Sequence, residues 1–266
     1  MKWNRVLTIV NWLMFTFIAV VLFHYGRRVF VGDWFPVNTP SMVPTIIPGD
    51  KIWVNKLIFG ARIYKNLDFL DGKPLETFRI KGWRKIRRGD VVVFNAPIQP
   101  NIPDSIVFKI NHVYVKRCVG VPGDTLRLSG PATAAAIESA TAAAIVGRAS
   151  GDSLQRRKNQ QKYSGTVYIP GKGDTLFMND PNIELYLTVI GYERKGDASV
   201  DYHVFQNNYY FTCGDNTRSS HDSRYFGFVP EEFIIGVSKR VLFNNRDGWK
   251  QKFEGRRILK QMSQMK

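Results

Sequence analysis

The chain has 266 residues, with 38 Lys and Arg against 22 Asp and Glu, a formal charge of +16, and 44% hydrophobic residues. The apolar share excludes a chain too polar to bury a core, and the charge points to an anionic partner, either nucleic acid or a lipid surface. Cys118 and Cys213 fit no zinc spacing, so they read as two buried thiols or, outside the cytoplasm, one disulfide. No metal or cofactor is expected.

Val6–Phe23 is an uncharged apolar run of eighteen residues, VLTIVNWLMFTFIAVVLF, just long enough to cross a bilayer as a helix. Trp3, Trp12 and Tyr25 suit its interfaces. Lys2 and Arg5 precede it, and Arg27 and Arg28 follow it, so charge does not decide orientation. The run ends in His24-Tyr25-Gly26-Arg27-Arg28 with no Ala-x-Ala cut site, which favours an uncleaved anchor over residues 1–30 rather than a signal peptide.

From about Phe35 the texture is β, with short Val/Ile/Phe runs between Gly-Asp, Pro-Gly and Asn-rich steps. Strands are expected at Lys51–Asn55, Asp90–Phe94, Ile106–Val121, Thr166–Ile169, Tyr209–Cys213 and Gly236–Phe243. No helical period is sustained between residues 40 and 245. With no βαβ alternation and no GxGxxG, a nucleotide-binding sheet is not expected. Pro131–Ser150 is Ala-rich and of low complexity, and a basic run Arg156–Lys162 follows; both read as part of an insertion. Arg246–Lys266 carries seven Lys and Arg. It is a solvated basic tail, or a helix with Trp249, Phe253, Ile258, Leu259 and Met262 on one face against anionic lipid.

Chemistry concentrates in Thr39-Pro40-Ser41-Met42-Val43-Pro44-Thr45. Proline fixes φ and biases the preceding residue toward extended backbone, so Ser41 sits on a stiff mount. A rigid hydroxyl beside its own amide is what acyl transfer needs. Of the histidines, His221 stands next to Asp222, but sequence neighbours on extended backbone point to opposite sides, so Asp222 is poorly placed to orient it. The competing base is Lys116 in Tyr114-Val115-Lys116-Arg117-Cys118. Strand alternation puts it on the face of Tyr114 and Cys118, with Arg117 on the other. A lysine is a base only when neutral. At its free pKa of about 10.4 only about one in 2,500 is neutral at pH 7, and burial corrects this. A third segment, Gly214–Pro230, packs hydroxyls, carboxylates and arginines into a loop. There Asp222 and Arg224 suit a pair, and Ser220 suits a hydroxyl that holds the lysine.

Five blocks now stand in order: Ser41-Met42-x-Pro44-Thr45; Gly49-Asp50 with Val54-x-Lys56; Arg88–Phe94; Tyr114–Asp124; and Gly214–Val229. Together, after one anchor, they resemble bacterial signal peptidase I. The resemblance covers about residues 35–128 and 206–243. It implies a mainly β, antiparallel catalytic domain over 31–127 and 206–245, a smaller α+β or β subdomain inserted at 128–205, and a tail at 246–266. It implies a Ser–Lys dyad with Ser41 as nucleophile and Lys116 as general base. Ser220 takes the position that orients the lysine, and Asp222 and Arg224 that of the supporting pair. The oxyanion hole combines the Ser41 N–H with the Thr39 hydroxyl, where many relatives have Ser-Gly before the nucleophile and this chain has Thr39-Pro40. Met42 and Pro44 fall where substrate or lipid would be touched.

The function expected is removal of signal peptides from secretory pre-proteins after a small-x-small motif. The expected place is a bacterial cytoplasmic membrane with the catalytic domain on its outer face. The partners are pre-proteins and membrane lipid, and not nucleic acid. Two other readings share the sequence. One is a specialised Ser–Lys maturation peptidase with a dedicated substrate, and the other a non-enzymatic, membrane-tethered binding domain.

Overall fold

The computed structural model describes residues 2–65, 76–97, 106–128, 165–177, 183–193, 201–244 and 261–262. The Ala-rich and basic stretches of the insertion, and the tail from 246 to 260, lie outside them.

The first element is helix α1, Lys2–Gly26, which runs on through wider π-type turns at Arg27–Val31. Arg5–Val31 is 27 residues long, and the apolar stretch within it packs against nothing; only its last turn meets the rest of the chain, at Trp53 and Lys56. At 1.5 Å per residue it reaches about 40 Å, more than the roughly 30 Å of bilayer hydrocarbon. A fully exposed apolar helix is unstable in water, so its length and surface suit a membrane.

The remainder is mainly β. Strands β1 (Gly32–Pro36), β2 (Asp50–Asn55), β3 (Arg62–Tyr64), β4 (Thr77–Arg79), β5 (Val91–Asn95), β6 (Val113–Gly120) and β7 (Thr125–Leu128) precede the insertion. Strands β8 (Gly165–Tyr168), β9 (Thr175–Phe177) and β10 (Tyr202–Val204) follow, with helix α2 (Leu187–Glu193) between the last two. Then come β11 (Tyr209–Cys213), the short helix α3 (Ser223–Phe226), β12 (Val229–Pro230) and the long β13 (Ile234–Asn244). Seven strands form one curled sheet in the order β1-β2-β13-β5-β6-β11-β12, with every pairing antiparallel.

Tyr209–Cys213 recurs with its expected ends and the other strands with shifted ones, and one is cut short. A turn at Ile110–Asn111 cuts the Ile106–Val121 run, so β6 begins only at Val113. The short α2 lies inside the expected α+β or β insertion, at a place where no helical period is sustained; Val189 and Ile190 on it are buried, and seven residues are too few to show a clear period.

At β5 the sheet is packed on both faces. On β5, Val92 and Phe94 join one core with Phe211, Phe228 and Phe233. Val91 and Val93 join a second core with Met42, Ile46, Ile52, Val54 and Val241. This two-sided burial explains why β5 reads as an unbroken apolar run. Strand β2 alternates instead: Ile52 and Val54 point inward, while Lys51, Trp53 and Asn55 face out. Met262 is buried in the second core, and Gln261 bridges Arg240 on β13. This point of the tail is therefore docked rather than solvated.

The turn into β2 positions what precedes it. Gly49 has φ of 95°, a region where side chains are strained. The fully buried Asp50 accepts from the Ile47 N–H at 3.0 Å and from Asn244 Nδ2 at 2.8 Å. The segment 37–50 is thereby fixed to the last strand.

Candidate active site

Ser41 lies in a single 3-10 turn, Pro40–Met42, entered from extended Thr39. The Val43 N–H closes the turn on the Pro40 carbonyl at 3.1 Å, and the Ile46 N–H donates to the Met42 carbonyl at 2.9 Å. Proline suits the first position of such a turn because its missing N–H would have had no intrahelical acceptor. The Ser41 N–H is at the same end, where the helix itself supplies no acceptor.

Met42 is the bolt of this turn. Its side chain is fully buried in the second core, with Ile46, Ile52 and Val241 in the same cluster. The expectation that Met42 touches lipid or substrate is corrected here: it faces inward, because burying a methionine contributes about 1.5–3 kcal/mol. Pro44 is exposed.

Lys116 on β6 donates from Nζ to Ser41 Oγ at 2.6 Å across 75 residues of sequence. Both side chains are nearly closed to solvent, at 4% and 5% exposure. The Tyr114 ring lies 5.4 Å from the ammonium. Burial lowers the Lys116 pKa to about 8; the Asp222 carboxylate partly restores it and Arg224 pulls it down again. Charge burial without a direct carboxylate partner is the strongest way to neutralise a lysine. Thr39 places its hydroxyl 3.4 Å from Ser41 Oγ.

Behind the lysine stands a polar knot. Asp222 is fully buried. Its carboxylate accepts from Ser220 Oγ at 2.6 Å, the Gly214 N–H at 2.8 Å, and both Nε and a terminal nitrogen of Arg224 at 2.8 Å. Burial works against the Arg224 charge, but the hydrogen bonds and charge of Asp222 outweigh it and hold the guanidinium above its ordinary pKa. The Ser220 proton thus goes to Asp222, which fixes the hydroxyl's rotamer and leaves its lone pairs as acceptors. His221 instead stacks on Tyr225 and meets Tyr114 and Phe226 edge-on.

Three residues of the site carry no role from the sequence. Gly214 is wedged between the two halves: a Cβ there would come within 2.2 Å of Ser220 Oγ and 2.5 Å of the Ser41 carbonyl oxygen. Asn216 clasps the serine turn, its N–H donating to the Ser41 carbonyl at 3.0 Å and its Nδ2 to that of Pro40 at 3.2 Å. Arg117 forks onto Asp215 at 2.7 and 2.6 Å, and reaches Thr45 Oγ1 at 3.2 Å and the Gly89 carbonyl at 2.9 Å. The signal for Arg117 was its alternation with Lys116: one residue of β6 faces the serine, and the next ties the surrounding loops.

Cys118 and Cys213 are both free thiols. Burial pushes Cys118 up to about 12 and raises Cys213 likewise, so neither offers a thiolate to compete with Ser41. No cluster of His, Cys, Asp and Glu among the described residues could hold a metal.

A buried lysine hydrogen-bonded to a serine on a proline-stiffened turn can take a proton from that hydroxyl without histidine or metal. The family model described as "Signal peptidase, peptidase S26" matches residues 9–243. The chain belongs to that family. It is accordingly a serine peptidase. Among relatives, the chain is 30% identical over 224 residues to signal peptidase I of Rickettsia akari, covering 84% of this chain and 75% of that protein. It is 29% identical over 235 residues to signal peptidase I of Pseudomonas aeruginosa, covering 85% of this chain and 68% of that one. The family match runs through the apolar helix, the serine turn, β6, the Gly214–Arg224 loop and all but the last residue of β13.

Proposed function

We propose that this chain is a membrane-anchored endopeptidase that removes signal peptides from secretory pre-proteins by a Ser41–Lys116 dyad. The observation that carries the reading is the 2.6 Å hydrogen bond from Lys116 Nζ to Ser41 Oγ, in a setting nearly closed to water. In its neutral form Lys116 takes the Ser41 proton as Oγ attacks the scissile carbonyl. The Ser41 N–H and the Thr39 hydroxyl hold the oxyanion. The ammonium returns its proton to the departing amine, leaving an acyl-enzyme. Neutral again, Lys116 then activates water for deacylation.

Ser220, Asp222 and Arg224 act through the lysine. The Asp222–Arg224 pair keeps the carboxylate occupied, so Asp222 is a weaker trap for the Lys116 proton than a lone acid would be. The substrate binds extended and is cut after a small-x-small motif such as Ala-x-Ala. The anchor, within a helical stretch of 27 residues, holds the domain on the outer face of a bacterial cytoplasmic membrane, where signal peptides emerge.

The test is cleavage of a purified pre-protein by the full chain in detergent. Ser41→Ala and Lys116→Ala should each lower kcat by at least about a thousandfold, as removal of a paired nucleophile or base does. Retained turnover in either variant refutes the dyad. Cleavage of one dedicated substrate, with ordinary pre-proteins untouched, would instead select the specialised maturation peptidase.

A further inference from the structure

The outer face of β1, β2 and β13 is unlike an ordinary solvated surface. Trp34 and Trp53 are cross-strand neighbours, as are Trp53 and Arg240, and Lys51 and Phe243. Directly opposed residues share a face of the sheet and lie about 5 Å apart. The Lys51 ammonium sits 4.3 Å above the Trp34 ring and 5.1 Å from that of Phe243. Next to this row opens a cleft of about 470 Å³ lined by Trp53, Asn55, Ile58, Trp83, Arg84, Lys239 and Arg240. Trp83 on its wall is 76% exposed.

The charges of the cleft are unbalanced. Arg84 is held bidentately by Asp90 at 2.7 and 2.8 Å. Lys239 and Arg240 are exposed and have no carboxylate partner among the described residues. Among the described residues the cleft therefore presents two cations without a carboxylate partner beside two indoles.

Its place in the molecule is fixed by Arg27, the first residue after α1. The Arg27 guanidinium lies 5.6 Å from the Trp53 ring, and Trp53 is paired with Arg240 across the β2–β13 ladder. The end of the membrane-spanning segment, the indole and the cationic wall are thus consecutive neighbours. Tryptophan favours the depth where lipid headgroups meet acyl chains, and each Lys or Arg at an anionic surface is worth about 1 kcal/mol.

We propose that the Trp53–Trp83 cleft seats the phosphate of an anionic phospholipid headgroup, with Lys239 and Arg240 as its counter-charges. Trp53 and Trp83 would flank the glycerol region. The occupant is lipid rather than a soluble anion because the anchor delivers this face to the bilayer, and because the apolar faces of two indoles match glycerol and acyl carbons that a free phosphate lacks. The proposal rests on the membrane-anchored reading and adds a headgroup preference to it.

The test uses the full chain bearing Ser41→Ala, placed in nanodiscs of equal phosphatidylglycerol and phosphatidylcholine, with retained lipids counted by native mass spectrometry. Phosphatidylglycerol should be retained at least fivefold over phosphatidylcholine, and the preference should fall about fivefold, or about 1 kcal/mol, for each charge removed in Lys239→Gln and Arg240→Gln. The charge-keeping exchanges Lys239→Arg and Arg240→Lys should preserve it. Equal retention of the two lipids, or a preference unmoved in the double glutamine variant, overturns the proposal. So does displacement of the bound lipid by inorganic phosphate alone, which would assign the cleft to a soluble anion. A chain that fails to enter nanodiscs overturns the anchor as well as the cleft, whereas entry without preference overturns only the cleft.

Discussion

The depressed Lys116 pKa makes the pH profile of peptide cleavage the sharpest check on the dyad. An exposed lysine near 10.5 would be neutral in about one molecule in 3,000 at pH 7, whereas a pKa of about 8 makes about one in ten neutral. The rate constant kcat/KM for a quenched Ala-x-Ala peptide, measured on the full chain in detergent between pH 5.5 and 10, should rise about tenfold per unit in acid. It should reach half its plateau near pH 8. At pH 7 the enzyme should run about tenfold below plateau, not about 3,000-fold. The same shift has a thermodynamic face. Between pH 8 and 10.5 the unfolded chain holds a proton on this lysine that the folded chain has released. Stability therefore rises with pH through that window, and the penalty of about 3 kcal/mol present at lower pH disappears above it. A profile flat from pH 6 to 9, or a midpoint above pH 9.5, would refute the claim that burial prepares Lys116 as the base.

Gly214→Ala should lower kcat by about a hundredfold, with KM less affected, because a Cβ 2.5 Å from the Ser41 carbonyl oxygen must push the serine turn out of line; steady-state kinetics on the same peptide read this, and unchanged kcat refutes it. Asp222→Ala strips Gly214, Ser220 and Arg224 of a common buried partner. It should cost about 3–5 kcal/mol in denaturant unfolding, and less than 1 kcal/mol would show that the knot is not structural. Met42→Ala empties a fully buried site in the second core and should cost about 2–5 kcal/mol in the same assay. A neutral result would return Met42 to the surface role first expected of it.

Much of this architecture is written in local pattern. The N-terminal helix is legible because its apolar run is unbroken, and β2 because one buried face imposes strict alternation on Ile52 and Val54. Strand β5 is legible as a solid apolar stretch because both its faces are covered. The pair β3 and β4 was not legible. Each has three residues, and they are held from outside, by Arg62 to the Glu232 carbonyl and by Arg79 to those of Glu231 and Ile234. In the site, motif order brought Ser41 and Lys116 to attention, but no spacing rule joins groups 75 residues apart. The direction of Met42 was misread because a turn residue's side follows from the core beneath it, which only tertiary packing creates. That the Ser220 proton goes to Asp222 was not legible either, since it depends on the carboxylate being buried and the stronger acceptor. Gly214 and Asn216 stood inside a quoted motif without a task, because a clasp on another loop's carbonyls leaves no trace in composition.

That clasp ties proteolysis to biosynthesis. Asn216 grips the Pro40 carbonyl from 176 residues further along the chain, and the strand that buries Met42 and Ile46 comes later still. Chains emerge from the ribosome amino end first. While the early part is threading outward, the serine has been made but has neither its clamp nor its floor. The serine turn is thus completed only when the carboxyl-terminal third of the chain has been made.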